Sequence, residues 1–428
     1  MTLAQVASKL IWINAATRPS QRVGCDMTKP VEIARDLRLD LYRGVALWLI
    51  FLAHIPGNIV SRFVPFHYGF SDAAEIFVFV SGYANAYVYG RVMQQCGFVT
   101  SAAHILNRAF HLYVAQMFLF VVFIGEIALL SHGTDMFADA MNVRIFRDQP
   151  DVATLAVLQL KFMPVNMDVL PVYIVLLLGC PLILWLLWRM PTLGLAASVT
   201  LYALANVFDI NLPAFPHGSW YFNPLAWQVL FVFGAWCGLG AADWLWSLIR
   251  WPIVLTIAAA YVLFGLLVVI AWHTPYLAPY VPNWLEPPLS KTNLGVMRLV
   301  HFLAIAVLVD RCIPAHWAPL TSWILRPVIN CGQHSLEVFC FGVILAFAGY
   351  VAVVGAPSSA TSQILVPVLG IAAMTALAAL VTWYSTRKIS FRAVASEGLV
   401  AHPSVHAEVG NVGSELRSRS SSAIGETS

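Results

Sequence analysis

Charge is what this sequence has least of. Only 11% of its 428 residues are Asp, Glu, Lys or Arg, while 60% are hydrophobic; a soluble domain carries about 25% charged residues. With a mean hydropathy of +0.76, that shortage excludes a water-soluble globular protein and leaves a polytopic membrane protein. The net charge of +3 is too small to hold a nucleic acid, so no nucleic-acid partner is expected. Cysteine pairs are wanting too. The seven cysteines are odd in number, scattered and mostly set in apolar runs without a CxxC spacing. They read as packing residues, with neither a disulfide framework nor a metal site expected. No internal repeat recurs, which weakens the case for an inverted-repeat transporter. A signal peptide is also missing, because the short apolar stretch around Ile11 runs on into a polar segment.

What the chain has in abundance is apolar length. Windows of the size a hydrocarbon core demands lie near 41–60, 72–90, 105–130, 168–188, 192–208, 223–242, 251–272, 294–312, 335–353 and 362–385. The expected fold class is therefore all-α, with about ten transmembrane helices. The fifth window is the weakest, being short and ending in Asn206 and Asp209. An even count with both termini cytoplasmic puts Arg91, Arg108, Arg189, Arg250, Arg311, Arg326, Arg387, Lys388 and Arg392 inside, as the positive-inside rule prefers. Arg62, Arg144, Arg147, Lys161 and Lys291 stay outside. Two outer loops, 209–222 and 273–293, are rich in Pro, Trp, Tyr and Asn, a composition that suits interface anchors and also a carbohydrate-facing surface. Residues 1–36 read as a cytoplasmic lead, 37–390 as the membrane domain and 391–428, rich in Ser and Glu, as a disordered cytoplasmic tail.

Within this apolar background a few ionisable residues stand out. The stretch RLDLYRGVALWLIFLAHIPGNIV, residues 38–60, carries Arg43 and His54 eleven positions apart, which returns them to within roughly 20° of one helix face about 16 Å apart. Arg43 either holds a bulky anion at the inner membrane surface or snorkels to lipid phosphate. His54 is either a reactive imidazole deep in the bilayer or a satisfied core histidine. In GFSDAAEIFVFVSGYANAYVYG, Asp72 and Glu75 stand three apart, so both can face one cavity near His54 and orient its imidazole. Helix-start acidity accounts for Asp72 better than for Glu75. Ser81 and Gly82 further along suit close helix packing. Arg108 and His111 in NRAFHLYVAQ are a second candidate phosphate anchor or an ordinary inner flank.

These segments carry a resemblance. RGVALWLIFLAH, an arginine and a histidine with ten residues between them, followed by FVFVSGYANA, resembles the large superfamily of integral-membrane acyltransferases. More closely, GFSDAAEIFVFVSGY, NRAFHLY, MDVLPVYIVLLL and CGQHSLEVFCFGVIL look like the OpgC-type family of osmoregulated periplasmic glucan succinyltransferases, over about 35–385. The resemblance implies ten helices in a bacterial inner membrane, a cytoplasmic acyl-coenzyme A donor, succinyl-coenzyme A in the characterised activity, and an O-acyl acceptor on the outer side such as a periplasmic glucan or another glycan. It also implies that Arg43 and His54 are the superfamily's catalytic motif and that Asp72 and Glu75 belong to the narrower family pattern.

On that reading His54 is the general base that takes a proton from a sugar hydroxyl as it attacks the thioester, with Asp72 and Glu75 beside it. Arg43, Arg108 and His111 are the candidates for holding coenzyme A. The oxyanion needs a donor, for which Arg298 and His301 in NLGVMRLVHFLAIAVL are candidates, and His334 with Ser335 weaker ones. Asp168, next to Tyr173 in MDVLPVY, either orients the acceptor or caps a helix. The competing class is a transporter or flippase that uses the same intramembrane charges as a path, and a scaffolding membrane protein is a third.

Overall fold

The computed structural model describes residues 36–400, apart from 132–134, 283–284, 286–288 and 356–358. The expected lead and most of the expected tail lie outside the described residues. Every regular element among them is helical: α1 (Leu37–Ala53), α2 (Ala73–Cys96), α3 (Phe98–Leu130), three short helices α4 (Met136–Ala140), α5 (Arg144–Asp148) and α6 (Pro150–Leu158), then α7 (Val169–Arg189), α8 (Pro191–Val207), α9 (Pro224–Gly238), α10 (Asp243–Leu248), α11 (Pro252–His273), α12 (Val296–Cys312), α13 (Arg326–Gln333), α14 (Ser335–Gly355) and α15 (Ala360–Val400). Each of the ten apolar windows holds one of the longer helices. Five of these, α3, α7, α11, α14 and Ala360–Arg387 of α15, are long and apolar enough to cross a membrane. The chain is a multi-pass membrane protein.

Proline sets many of the starts, standing in the first turn of α6, α8, α9 and α11, where its missing N–H would be unpaired anyway. The first helix is shorter than its apolar window. It stops at Ala53, with His54 as its C-cap, because Pro56 follows and Gly57 takes a φ of 77° that continues no helix. The last helix runs the other way, continuing to Val400, past the boundary drawn for the tail. One cysteine also departs from expectation: Cys96, at the end of α2, is disulfide-bonded.

Two glycine-lined crossings make the centre of the bundle. A Cβ on Gly82 of α2 would run into the backbone of Phe231 in α9, and one on Gly234 into the backbone of Phe79. The helices touch backbone to backbone, the close approach that small residues permit in membranes. In the same way Gly44 of α1 abuts Val328 of α13, and Gly332 abuts Asp40. Around them packs a continuous core that includes Leu47, Phe123, Leu177, Trp227 and Phe347. Outward, α3 and α11 leave Phe110, Phe118, Leu129, Ile253 and Ile257 exposed, the apolar band a lipid-facing surface needs.

Candidate active site

Four helix ends meet at one end of this bundle, where α1 finishes and α2, α7 and α12 begin. At the start of α2 the segment Ser71–Glu75 forms a capping box: Asp72 Oδ1 accepts from the Ala74 N–H at 2.8 Å and Glu75 Oε2 accepts from the Asp72 N–H at 2.9 Å. Each carboxylate thus uses one oxygen to start the helix. The other oxygens receive cations. Glu75 Oε1 accepts from Arg298 Nε at 2.8 Å and Nη2 at 2.6 Å, while Asp72 Oδ2 takes Lys291 Nζ at 2.6 Å and Arg298 Nη2 at 3.3 Å. Glu75 has no exposed surface and Arg298 very little. Charges so buried survive only when each is paired and hydrogen-bonded.

His301, one turn beyond Arg298, joins through its Nδ1, 2.8 Å from Ser71 Oγ. Its ring lies between Gly69 and Gly265, whose absent side chains leave the room it fills, and against Phe70 at 5.4 Å and Tyr261 at 6.2 Å. His301 Nε2 is buried with no hydrogen-bond partner among the described residues. His54, at the end of α1, feels the charges of Lys291 and Asp72. Asp168, at the start of α7, feels Lys291, and its side chain makes no capping bond. Tyr173, a turn later, accepts from Asn85 Nδ2 of α2 at 3.0 Å, fixing α7 against α2.

The structure therefore brings together His54, Asp72, Glu75, Asp168, Arg298 and His301 and adds Lys291, which sequence reasoning had left as one of five outer-loop bases. Its signal was there: a lysine seven residues before Arg298, on the side expected to be the outer one, where basic residues are disfavoured. Burial works against the charge of Lys291, but the Asp72 carboxylate outweighs it and holds its pKa above the ordinary 10.5.

Four candidates stay apart from this cluster. Arg43 lies 4.0 Å from Asp40 on its own helix. Arg108 lies on α3, and His111, also there, is exposed with Nδ1 2.7 Å from the Asn107 carbonyl. His334, the C-cap of α13, has its Nε2 3.0 Å from Thr382 Oγ1.

A cavity of about 1780 Å³ lies further into the bundle, and none of the cluster residues lines it. It runs between α1, α2, α9 and α12, reaching Ile76, Phe79 and Phe302 on one side and opening among Arg38, Arg91, Arg250 and Arg311 on the other. Ile76 follows Glu75 and Phe302 follows His301 in the chain, so this end of the cavity lies within one residue of the cluster along each helix. From Ile76 to Arg91 is fifteen residues of α2, or about 22 Å at the helical rise. Neither Arg43 nor Arg108 is among its lining residues; on α1 it is Arg38, Tyr42 and Val45 that face it. At the rim Arg38 pairs with Asp36 at 2.9 Å and with Asp310 at 3.6 Å, and Arg91 lies 4.1 Å over the Tyr87 ring.

Residues 35–386 match the family model described as OpgC protein. The chain belongs to the OpgC family. That membership points to a membrane transferase of the acyltransferase type. No curated protein and no solved structure matches this OpgC-family chain.

Proposed function

We propose that this OpgC-family protein is an O-acyltransferase that moves a succinyl or similar acyl group from cytoplasmic acyl-coenzyme A to a hydroxyl of a periplasmic glucan or other glycan across the inner membrane. The observation that carries the reading is the cavity, with arginines in its lining at one end and, at the other, Ile76 and Phe302, the chain neighbours of Glu75 and His301 in the cluster. A coenzyme A thioester has the matching pattern of anionic phosphates, a long flexible arm and a reactive carbonyl at its tip. In this reading the arginine end is cytoplasmic, both termini lie there, and all ten long helices cross the membrane.

The phosphates then rest among Arg38, Arg91, Arg250 and Arg311, where guanidinium groups suit them, and the arm extends along Ile76, Phe79 and Phe302. The Arg43 charge, one helix face away, adds to the positive field at this end. At the tip, His54 takes the proton of the acceptor hydroxyl as its oxygen attacks the thioester carbonyl, and the thiolate leaves with a proton returned to it. Negative charge developing on the carbonyl oxygen is met by Lys291 and Arg298, which Asp72 and Glu75 hold in place before any substrate arrives. Asp168, free of capping duty, accepts a hydrogen bond from the acceptor. In this reading the ion pairs stand between the cavity and the outer side, which favours transfer over passage of a whole glycan, as a flippase would require.

The test is acyl transfer from labelled succinyl-coenzyme A to periplasmic glucan in membranes carrying wild type or His54→Ala at matched expression. Transfer by wild type that drops at least about 100-fold in the variant supports both the reaction and the base. Full transfer by the variant removes His54 from the chemistry, and no transfer by either removes this donor and acceptor.

A further inference from the structure

The outer loops before α9 and before α12 are sewn into one surface. Asn223 donates through Nδ2 to Asn293 Oδ1 at 2.8 Å and to the Ile210 carbonyl at 2.7 Å, and its N–H reaches the Thr292 carbonyl at 3.0 Å. Trp227 Nε1 donates to the Lys291 carbonyl at 3.0 Å. These bonds fix the backbone on both sides of one aromatic pair. Phe222, nearly buried, stands edge-on to Trp227 at 4.8 Å, and Tyr221 stands edge-on to Phe222 at 5.0 Å. Tyr221 alone of the three is exposed, with 49% of its surface accessible. The Lys291 ammonium lies 5.6 Å from the Phe222 ring centre and 6.0 Å from that of Tyr221, and the same nitrogen touches Asp72 at 2.6 Å.

We propose that Tyr221 is the stacking platform for a pyranose ring of the acceptor and so sets which hydroxyl reaches the cluster. The inference rests on the acyltransferase reading and names its acceptor side. A sugar ring presents C–H groups on one face and hydroxyls round its edge. The first suit an exposed aromatic ring that is already rigid, where little freedom is lost on binding. The second need carboxylates and an ammonium at the ring's edge, which Asp72, Asp168 and Lys291 supply. Because Asp72 already neutralises Lys291, no surplus positive charge awaits a polyanion, and the acceptor is a neutral glycan. An aromatic residue serving only as a membrane-interface anchor needs neither a fixed backbone nor a lysine shared with a buried carboxylate.

The full-length protein in lipid nanodiscs, with labelled succinyl-coenzyme A and a gluco-oligosaccharide as varied acceptor, tests this. Tyr221→Ala raises the acceptor KM about tenfold, the scale of one aromatic contact, and leaves the donor KM alone; Tyr221→Phe, which keeps the ring, restores the acceptor KM. An acceptor KM unchanged in Tyr221→Ala overturns the platform, and so does a Tyr221→Phe variant as weak as the alanine, since then the hydroxyl and not the face matters. Should the wild type transfer no label at all, titration of the oligosaccharide against tryptophan fluorescence, with Trp220 next to Tyr221 in the chain and Trp227 against Phe222, still decides. A saturable change that is lost in Tyr221→Ala keeps a sugar platform without the acyl chemistry. No change in the wild type leaves Tyr221 an interface anchor only.

Discussion

Lys291 and Asp72 are 219 positions apart in the chain and 2.6 Å apart in space. Their contact fastens the loop before α12 to the first turn of α2, and with it the aromatic pair Tyr221 and Phe222 to the ion-pair cluster. Removing the ammonium by Lys291→Met lowers stability by about 2 kcal/mol, the scale of a hydrogen bond to a charged group, read from thermal unfolding in detergent. The sign of the pH dependence follows from the raised pKa: the contribution is complete below the ordinary 10.5 and is lost only as pH rises through the higher folded value. The difference between variant and wild type is therefore flat from about pH 6 to 9. A step within that range contradicts the assignment.

Arg298 and Glu75 form the most buried pair. Arg298→Ala leaves Glu75 charged and alone, and is expected to cost about 3–5 kcal/mol. The double variant Arg298→Met with Glu75→Met recovers most of that stability, because an apolar pair of similar volume replaces both charges, yet it transfers no acyl group. Recovery of stability together with activity would show that the pair is structural only.

The glycine crossings yield a matched comparison. Gly82→Ala pushes a methyl group into the Phe231 backbone and is expected to lose about 1–3 kcal/mol. Gly125→Ala, in α3 where an added Cβ meets nothing within 4 Å, is neutral or gains up to about 1 kcal/mol from helix propensity. Thermal midpoints of the two, measured side by side, check the crossing.

At the opposite end of the bundle, Arg250→Ala and Arg311→Ala each raise the donor KM about tenfold without changing kcat, since a charge-assisted contact to phosphate is of that size. The effect shrinks as salt is added. Donor kinetics at two ionic strengths test it, and unchanged KM in both variants would leave the rim without a part in binding.

Much of this was legible in the sequence where the information is local. The ten apolar windows each became a helix, and Asp72 and Glu75, read as a pair facing one place, do meet the same arginine. The capping box was equally visible in SDAAE, a residue that accepts at the N-cap and one that reaches back three positions later. Pro56 and Gly57 already marked the end of α1 that the apolar count overran. What could not be read was distance. Lys291 looks like any loop lysine until the fold sets it on Asp72, and the cavity belongs to four helices, none of which signals it alone. The faces of α1 are a related case: periodicity relates Arg43 to His54, but only the neighbours show that Arg38 and Tyr42 line the cavity.

The cavity follows most of α2 and stops one residue, along the helix, from Glu75 and its ion pair with Arg298. In a bilayer that stop matters electrically as well as chemically. An open, water-filled route of that length would leak ions across the membrane that holds it, whereas buried charges that neutralise one another do not draw ions through. On the proposed function, chemistry at that point lets an acyl group change sides without the membrane ever being breached.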